Sequence, residues 1–507
     1  MPTKNVNIVY RGLNLEEGPV VDGVWTSGRN VRFKPGSVRK TKGRLLKTSV
    51  TAGFRVISVM TGNNGALLLG SDKKLFSLTD GLTSVPVVVK PNAGVSINAF
   101  TPSFTVSNAL FAYWSQPVFI GCLTVVFKPG NFVFKYDEVT KALSLLLNVP
   151  GVPVCMMVLA GRLIIGGASK MDNAFKIAPW PTIDDPSSVF FSAPNNPEDW
   201  EINLTGKAGF LPLVFNSDGA PCEDKPVAMI ARIASGNSNS DVGYVFTDNN
   251  LWIMRIAEHP KVFNLDVLQA GFKIFGPRMV CKGIGDDNSV YVMGTQDFYV
   301  LNERGLVSLP RGIRSDCFGK NPVRSNANSY AYYQRATREV HFCLAFTDKG
   351  PATTDYCYQT ETKSWTILDC PYTSPSEHAE GMVAGDPLTQ NVYLLDGSND
   401  DDGAAIASFV AAEFAMGNVG VRKIIHEITP QMSIRSNLLK VKIEVSGKRG
   451  GSRSYPVGNE KTFDCDTNRS TKHGVRGELL RIKFLDELLN NPWELEGYNF
   501  TSSVEDI

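Results

Sequence analysis

The sequence lacks the short-range spacings that mark metal and redox sites. Its nine cysteines include no Cys-x-x-Cys pair, and its five histidines show neither His-x3-His nor His-Glu-x-x-His. No zinc site is therefore expected, and the cysteines read as reduced, buried thiols. It also lacks an excess of charge: Lys and Arg number 51 and Asp and Glu 50. A chain that coats nucleic acid along its whole length gets no support from that balance. Catalytic phrases are missing as well. There is no Gly-x-Ser-x-Gly elbow and no Gly-x-Gly-x-x-Gly turn, and the glycines at 65 and 70 are followed by Ser71-Asp72 where a phosphate loop needs Lys-Ser/Thr. We expect no enzyme, no cofactor and no metal. No apolar leader opens the sequence. The uncharged stretch 109–127 is long enough to span a bilayer, but Ser115-Gln116-Pro117 divides it. It predicts two strands and a turn rather than a membrane span.

Helical periodicity is nearly absent too. What the chain has instead is a succession of apolar runs of four to eight residues, broken by Gly, Asn, Asp or Pro. Several pair around a polar turn, as in 65–78 (GALLLGSDKKLFSL), 131–143, 243–256 (GYVFTDNNLWIMRI), 289–301 and 355–368, and 391–396 leads into an acidic tip. Four-stranded units of about 40–50 residues produce such a pattern. The expected fold is all-β: an irregular β-propeller of six or seven blades over 51–405, with a stacked β-sandwich as its rival. An additional β platform would join the N-terminal basic segment 1–50 to a C-terminal β domain, 406–507.

The two ends differ from the middle. Residues 29–47 hold eight basic residues and no acid, and 422–483 hold fourteen basic residues against six acidic ones. Arg29, Arg32, Lys34, Arg39, Lys40 and Lys42 are the candidates for an assembly interface, facing acidic surfaces of a partner. Solvent and DNA phosphates are the competing readings. Reversal of Arg32, Lys34 and Arg39 to Glu is expected to impair docking while the blades stay folded. The acidic tip 396–403 lacks the spacing of a calcium loop and reads as a solvated turn.

The ends also carry a resemblance. RGLN (11–14), the segment EEGPVVDG (16–23) and SGRNVRFKPGSVRKTKGRLL (27–46) resemble the opening of the tail nozzle proteins of short-tailed bacteriophages. These are also called tail tubular protein B or packaged-DNA stabilisation proteins. The phrase is carried here by Asn30, Val31, Arg32, Phe33, Gly36, Val38 and Lys40. The closing phrase resembles LRIKF (480–484) followed by WELEGY (493–498), and LAGRLIIGG (159–167) with VFFSAPNNPEDWE (189–201) is similar to a family blade. Phe33, Ile482, Phe484, Trp493 and Tyr498 are then candidates for the platform core. The resemblance implies a virion structural protein, assembled in the host cytoplasm. It would form a hexameric ring below the portal and its adaptor proteins. The ring would extend a channel for double-stranded DNA without sequence specificity, retain the genome until ejection, and anchor fibre or needle proteins. The alternative is a carbohydrate-active propeller hydrolase, or a glycan-binding propeller, recognisable by clustered carboxylates with arginine at a propeller mouth.

Overall fold

The computed structural model describes residues 3–504 except 8–11, 16–24, 51–55, 62–65, 71–74, 79–83, 87, 90–103, 116–117, 126–129, 147, 170–184, 203–206, 218–219, 234–240, 259–260, 285–286, 303–304, 321–324, 348–349, 374, 416–419, 434–439, 450–451 and 453. Arg11, the segment 16–23 and the turn 71–74 of the sequence reading thus lie outside the described residues. The regular secondary structure of the described residues is nearly all β. No helix in it is long and apolar enough to cross a membrane.

Among the described residues, seven antiparallel sheets of four or five strands follow one another along the middle of the chain, with a two-stranded sheet of Val214–Ser217 and Ala220–Glu223 between the third and the fourth. The first holds Val56–Thr61, Ala66–Gly70, Leu75–Leu78 and Ser84–Pro86. The second runs from Phe104–Ser115 to Ala142–Leu145 and takes Val88–Val89 as an added parallel strand. The third spans Cys155–Leu159 to Gly209–Pro212, the fourth Pro226–Arg232 to Phe263–Ala270, and the fifth Val280–Lys282 to Gly305–Ser308. The sixth holds Ser325–Gln334, Glu339–Ala345, Thr354–Gln359 and Ser364–Asp369, and the seventh Ser376–His378, Gly381–Gly385 and Asn391–Ser398. The fourth strand of the seventh sheet is Gly43–Ser49, brought from the other end of the chain.

Residue order explains both the turns and the stacking. Between Val242–Thr247 and Asn250–Ile256, the Thr247 hydroxyl accepts the Asn250 amide at 2.8 Å, a side-chain turn that reverses the strand within two residues. The middle strands are buried on both faces rather than on alternate residues. Every residue of Glu339–Ala345 is buried, which requires cover on both sides of the sheet. Neighbouring sheets supply that cover through shared apolar clusters, and their first strands lie side by side. Phe104–Ser115 lies beside Cys155–Leu159, which lies beside Pro226–Arg232; Val280–Lys282 then lies between Pro226–Arg232 and Ser325–Gln334. Val56–Thr61 lies beside the first two strands of the seventh sheet.

The chain ends share two further sheets. In one, the hairpin Val31–Lys34/Ser37–Lys40 is joined through Glu494–Val504 to Lys423–Met432 and Thr471–Gly477, and Thr3–Asn7 also pairs with Glu494–Val504. In the other, Ser27–Arg29 pairs with Ser408–Phe414, followed by Leu479–Asp486, Lys440–Lys448 and Asn459–Asp464. Their facing side chains form one core that continues into the fifth and sixth sheets. Strand Gly43–Ser49 departs from the segment 1–50 assigned to the platform, because its pairing is with Asn391–Ser398.

Candidate functional site: a charged junction between the terminal sheets and the sixth and seventh sheets

The basic run lies on a tight hairpin. Gly36 has a φ of 92° at the reversal and Asn30 one of 55° just before it, conformations that glycine and asparagine tolerate best. The register sets Arg32 directly opposite Arg39, an arrangement that repels unless acids intervene. Burial lowers the Arg39 pKa, and the Arg32 charge lowers it further. Arg32 is met by two acids from two different sheets: its Nε lies 3.1 Å from Glu339 and its Nη1 2.6 Å from Asp396. Burial alone would lower the Arg32 pKa, but Asp396 and then Glu339 hold it well above the usual value.

The remaining cations are held in the same way. Lys40 lies 2.5 Å from Asp486, with both side chains buried. Arg44 grips Asp401 through Nε at 2.7 Å and Nη2 at 2.9 Å, and its guanidinium sits 4.5 Å over the Tyr393 ring. Arg29 donates to Asp369 at 2.7 Å, and Lys34 faces Glu494 at 3.7 Å. Lys42 is exposed. This corrects the interface assignment for Arg32 and Lys40 alone; Arg29, Lys34 and Arg39 are half-buried. Arg32 and Lys40 are only 5% exposed and cannot meet a partner protein, and reversal of Arg32 would strike the fold itself. The acidic tip is a turn with Gly397, Asp402 and Gly403 exposed, and its carboxylates are engaged: Asp396 and Asp401 accept arginine, and Asp402 accepts the Tyr393 hydroxyl at 3.1 Å. Phe33, Ile482, Phe484, Trp493 and Tyr498 are all buried in the shared terminal core.

Behind Arg32 the polar network runs into the sixth sheet. His341 Nδ1 lies 2.6 Å from Asp355 Oδ2, and its ring stacks on Tyr332 at 4.3 Å. His341 Nε2 faces Glu339 at 3.6 Å and Cys357 Sγ at 3.9 Å. Burial lowers the His341 pKa, but the Asp355 carboxylate outweighs it and holds the imidazole well above its usual value. Burial would raise Glu339; Arg32 and then His341 overcome that and bring it to about 2. Cys357 is pushed up to about 12 by burial.

A cleft of about 280 Å³ opens beside this network, lined by Arg32, Arg44, Tyr332, Gln334, Asp396 and Asp401 among others. Its carboxylates are already engaged: Gln334 donates to Asp396 at 2.7 Å, beside the arginine contacts above. The arrangement therefore acts first as a bolt through three sheets. Glu339, His341, Asp355 and Cys357 escaped the sequence reading. Their signal was present only in part, as the Glu-x-His spacing at 339 and 341, which puts both side chains on one face of a strand. Cys357 joins them only through strand pairing.

No family model matches the sequence, and no curated protein matches it. Among solved structures, a chain of the BBS1N–ARL6DN complex is similar at 11% identity and a TM-score of 0.39, covering 70% of this chain and 97% of that one. U3-55K is similar at 10% identity and a TM-score of 0.36, covering 70% and 98%. An exo-β-1,3-galactanase from Phanerochaete chrysosporium is similar at 8% identity and a TM-score of 0.27, covering 91% and 100%.

Proposed function

We propose that the seven sheets close into a single ring-shaped propeller, and that the chain is a structural protein of a short-tailed phage virion. In this reading the joint between the first and second sheets completes the ring, and Gly43–Ser49 fastens the seventh blade. Six copies form the nozzle below the portal and adaptor proteins. The lumen conducts double-stranded DNA without reading its sequence, and the outer surface carries fibres or a needle. The chain works in the virion after assembly in the host cytoplasm and performs no chemistry. A ring needs heterologous contacts that close on themselves, and such contacts hold their angle only if each protomer is stiff.

The observation that carries this reading is the work done by the opening phrase. Asn30 donates to Asp369 and to the Ala407 carbonyl, Arg32 holds Glu339 and Asp396, Phe33 and Val38 enter the core, and Lys40 holds Asp486. Among the residues that carry the family resemblance, Asn30 and Arg32 thus fasten the terminal sheets to the sixth and seventh sheets, and Lys40 fastens the two terminal sheets to each other. The hydrolase reading has one observation in its favour, the acid–arginine cleft, and predicts that Asp396→Asn abolishes glycan cleavage. The nozzle reading is tested by mixing the purified chain with a portal–adaptor assembly and sedimenting it. Stable co-sedimentation as a ring of six supports it. A chain that stays monomeric beside the assembly, or that cleaves glycans, overturns it.

A further inference from the structure

Glu339 and His341 are two residues apart on one strand, and Cys357 is the cross-strand partner of His341 on the next. Their donor atoms, a carboxylate oxygen, Nε2 and Sγ, all lie within 4.8 Å of one another, and all three residues are buried. Tetrahedral zinc takes nitrogen and oxygen at about 2.0–2.2 Å and thiolate sulfur at about 2.3 Å, which sets donor–donor separations of roughly 3.3–3.7 Å. The separations from His341 Nε2 are 3.6 Å to Glu339 and 3.9 Å to Cys357, each within a few tenths of an ångström of bonding separation, and a metal would draw the Glu339 and Cys357 donors together from within 4.8 Å of each other.

Two independent features aim the set inward. The Nδ1 side of His341 is bound to Asp355, and the ring is clamped flat against Tyr332 with an interplanar angle of 2°. A carboxylate on the far nitrogen is the arrangement that orients metal-binding imidazoles. In addition, Glu339 Oε2 is fully buried between two cationic groups, 3.1 Å from Arg32 Nε and 3.6 Å from His341 Nε2, so the carboxylate is held toward the imidazole. We propose that Glu339, His341 and Cys357 form a binding site for one zinc ion inside the sixth sheet, next to the Arg32 bolt. Imidazole and thiolate donors select zinc or cobalt over calcium or magnesium, which prefer all-oxygen sets. Binding requires His341 Nε2 free of a proton and releases the Cys357 thiol proton. Three protein donors leave the fourth position for water. This site does not depend on the nozzle reading, since it tightens the sixth sheet whatever the protein assembles into.

The test uses the full chain, purified without chelator or immobilised metal. Elemental analysis is expected to find about one zinc per chain, retained through dialysis. Cys357→Ser is expected to lower that at least tenfold while its circular dichroism stays that of a folded β protein. Cobalt(II) alone, added to protein grown without zinc, is expected to give visible tetrahedral bands and a thiolate-to-cobalt charge-transfer band; Cys357→Ser loses the second. If the variant does not fold, the wild-type zinc content and cobalt spectrum decide. Folded wild-type protein with neither stoichiometric zinc nor a cobalt–thiolate band overturns the proposal.

Discussion

At the scale of residues, the junction depends on a few buried charges, each of which has its acid on another element. Arg32→Met leaves Glu339 and Asp396 buried without their cation, and breaking a buried pair from one side costs about 3–5 kcal/mol. Urea unfolding is expected to show a loss of that size, and a change below about 1 kcal/mol would mean that water reaches both acids. Lys40 offers a sharper comparison. Lys40→Met alone strands Asp486, whereas Lys40→Met with Asp486→Leu removes both charges, and apolar replacement of a whole buried pair is often close to neutral. The double variant is therefore expected to be more stable than the single one in the same denaturant series. If the two are equal, Lys40 and Asp486 are not energetically coupled. Gly12 is fixed by a close approach: a Cβ there would meet Ser364 Cβ at 2.5 Å.

At the scale of elements, two strands decide whether the ends are held. Gly43 begins the strand that completes the seventh sheet, and a Cβ on it would lie 2.1 Å from the Asp400 carbonyl oxygen. Gly43→Ala must push this strand off the acidic tip, with an overpacking cost of about 1–3 kcal/mol. Thermal melting is expected to fall, with aggregation from the exposed edge of Asn391–Ser398; an unchanged melt would show that this edge pairing is dispensable. Trp493 is 1% exposed and donates to Ser408 at 3.0 Å. Trp493→Ala is expected to cost about 3–5 kcal/mol, measured by urea unfolding, and a loss near zero would show that the terminal sheets do not share its core. The hairpins were legible because period and turn chemistry are local: 243–256 announces its own reversal through Thr247 and Asn250. The wandering strand Gly43–Ser49 was not, because nothing in GRLLKTS names a partner more than three hundred residues away. The same holds for the cluster at the junction. Linear spacing shows Glu339 with His341, but Cys357 is added by a register that no motif scan reads. Charge was misleading in its own way. A basic run with no acid within it looks like a surface, and its acids were simply elsewhere in the chain.

At the scale of the whole molecule, the ends are fastened into the middle rather than trailing from it, and the shared core runs on through the fifth and sixth sheets. Such a block has the stiffness that the proposed ring asks of each protomer. The most direct measurement is averaged electron imaging of intact phage particles, with this polypeptide located by density. The expected result is six copies around the tail axis below the adaptor, each a closed set of seven blades with Gly43–Ser49 as the last outer strand. An open row of sheets, or a particle tail from which this polypeptide is missing, would contradict it.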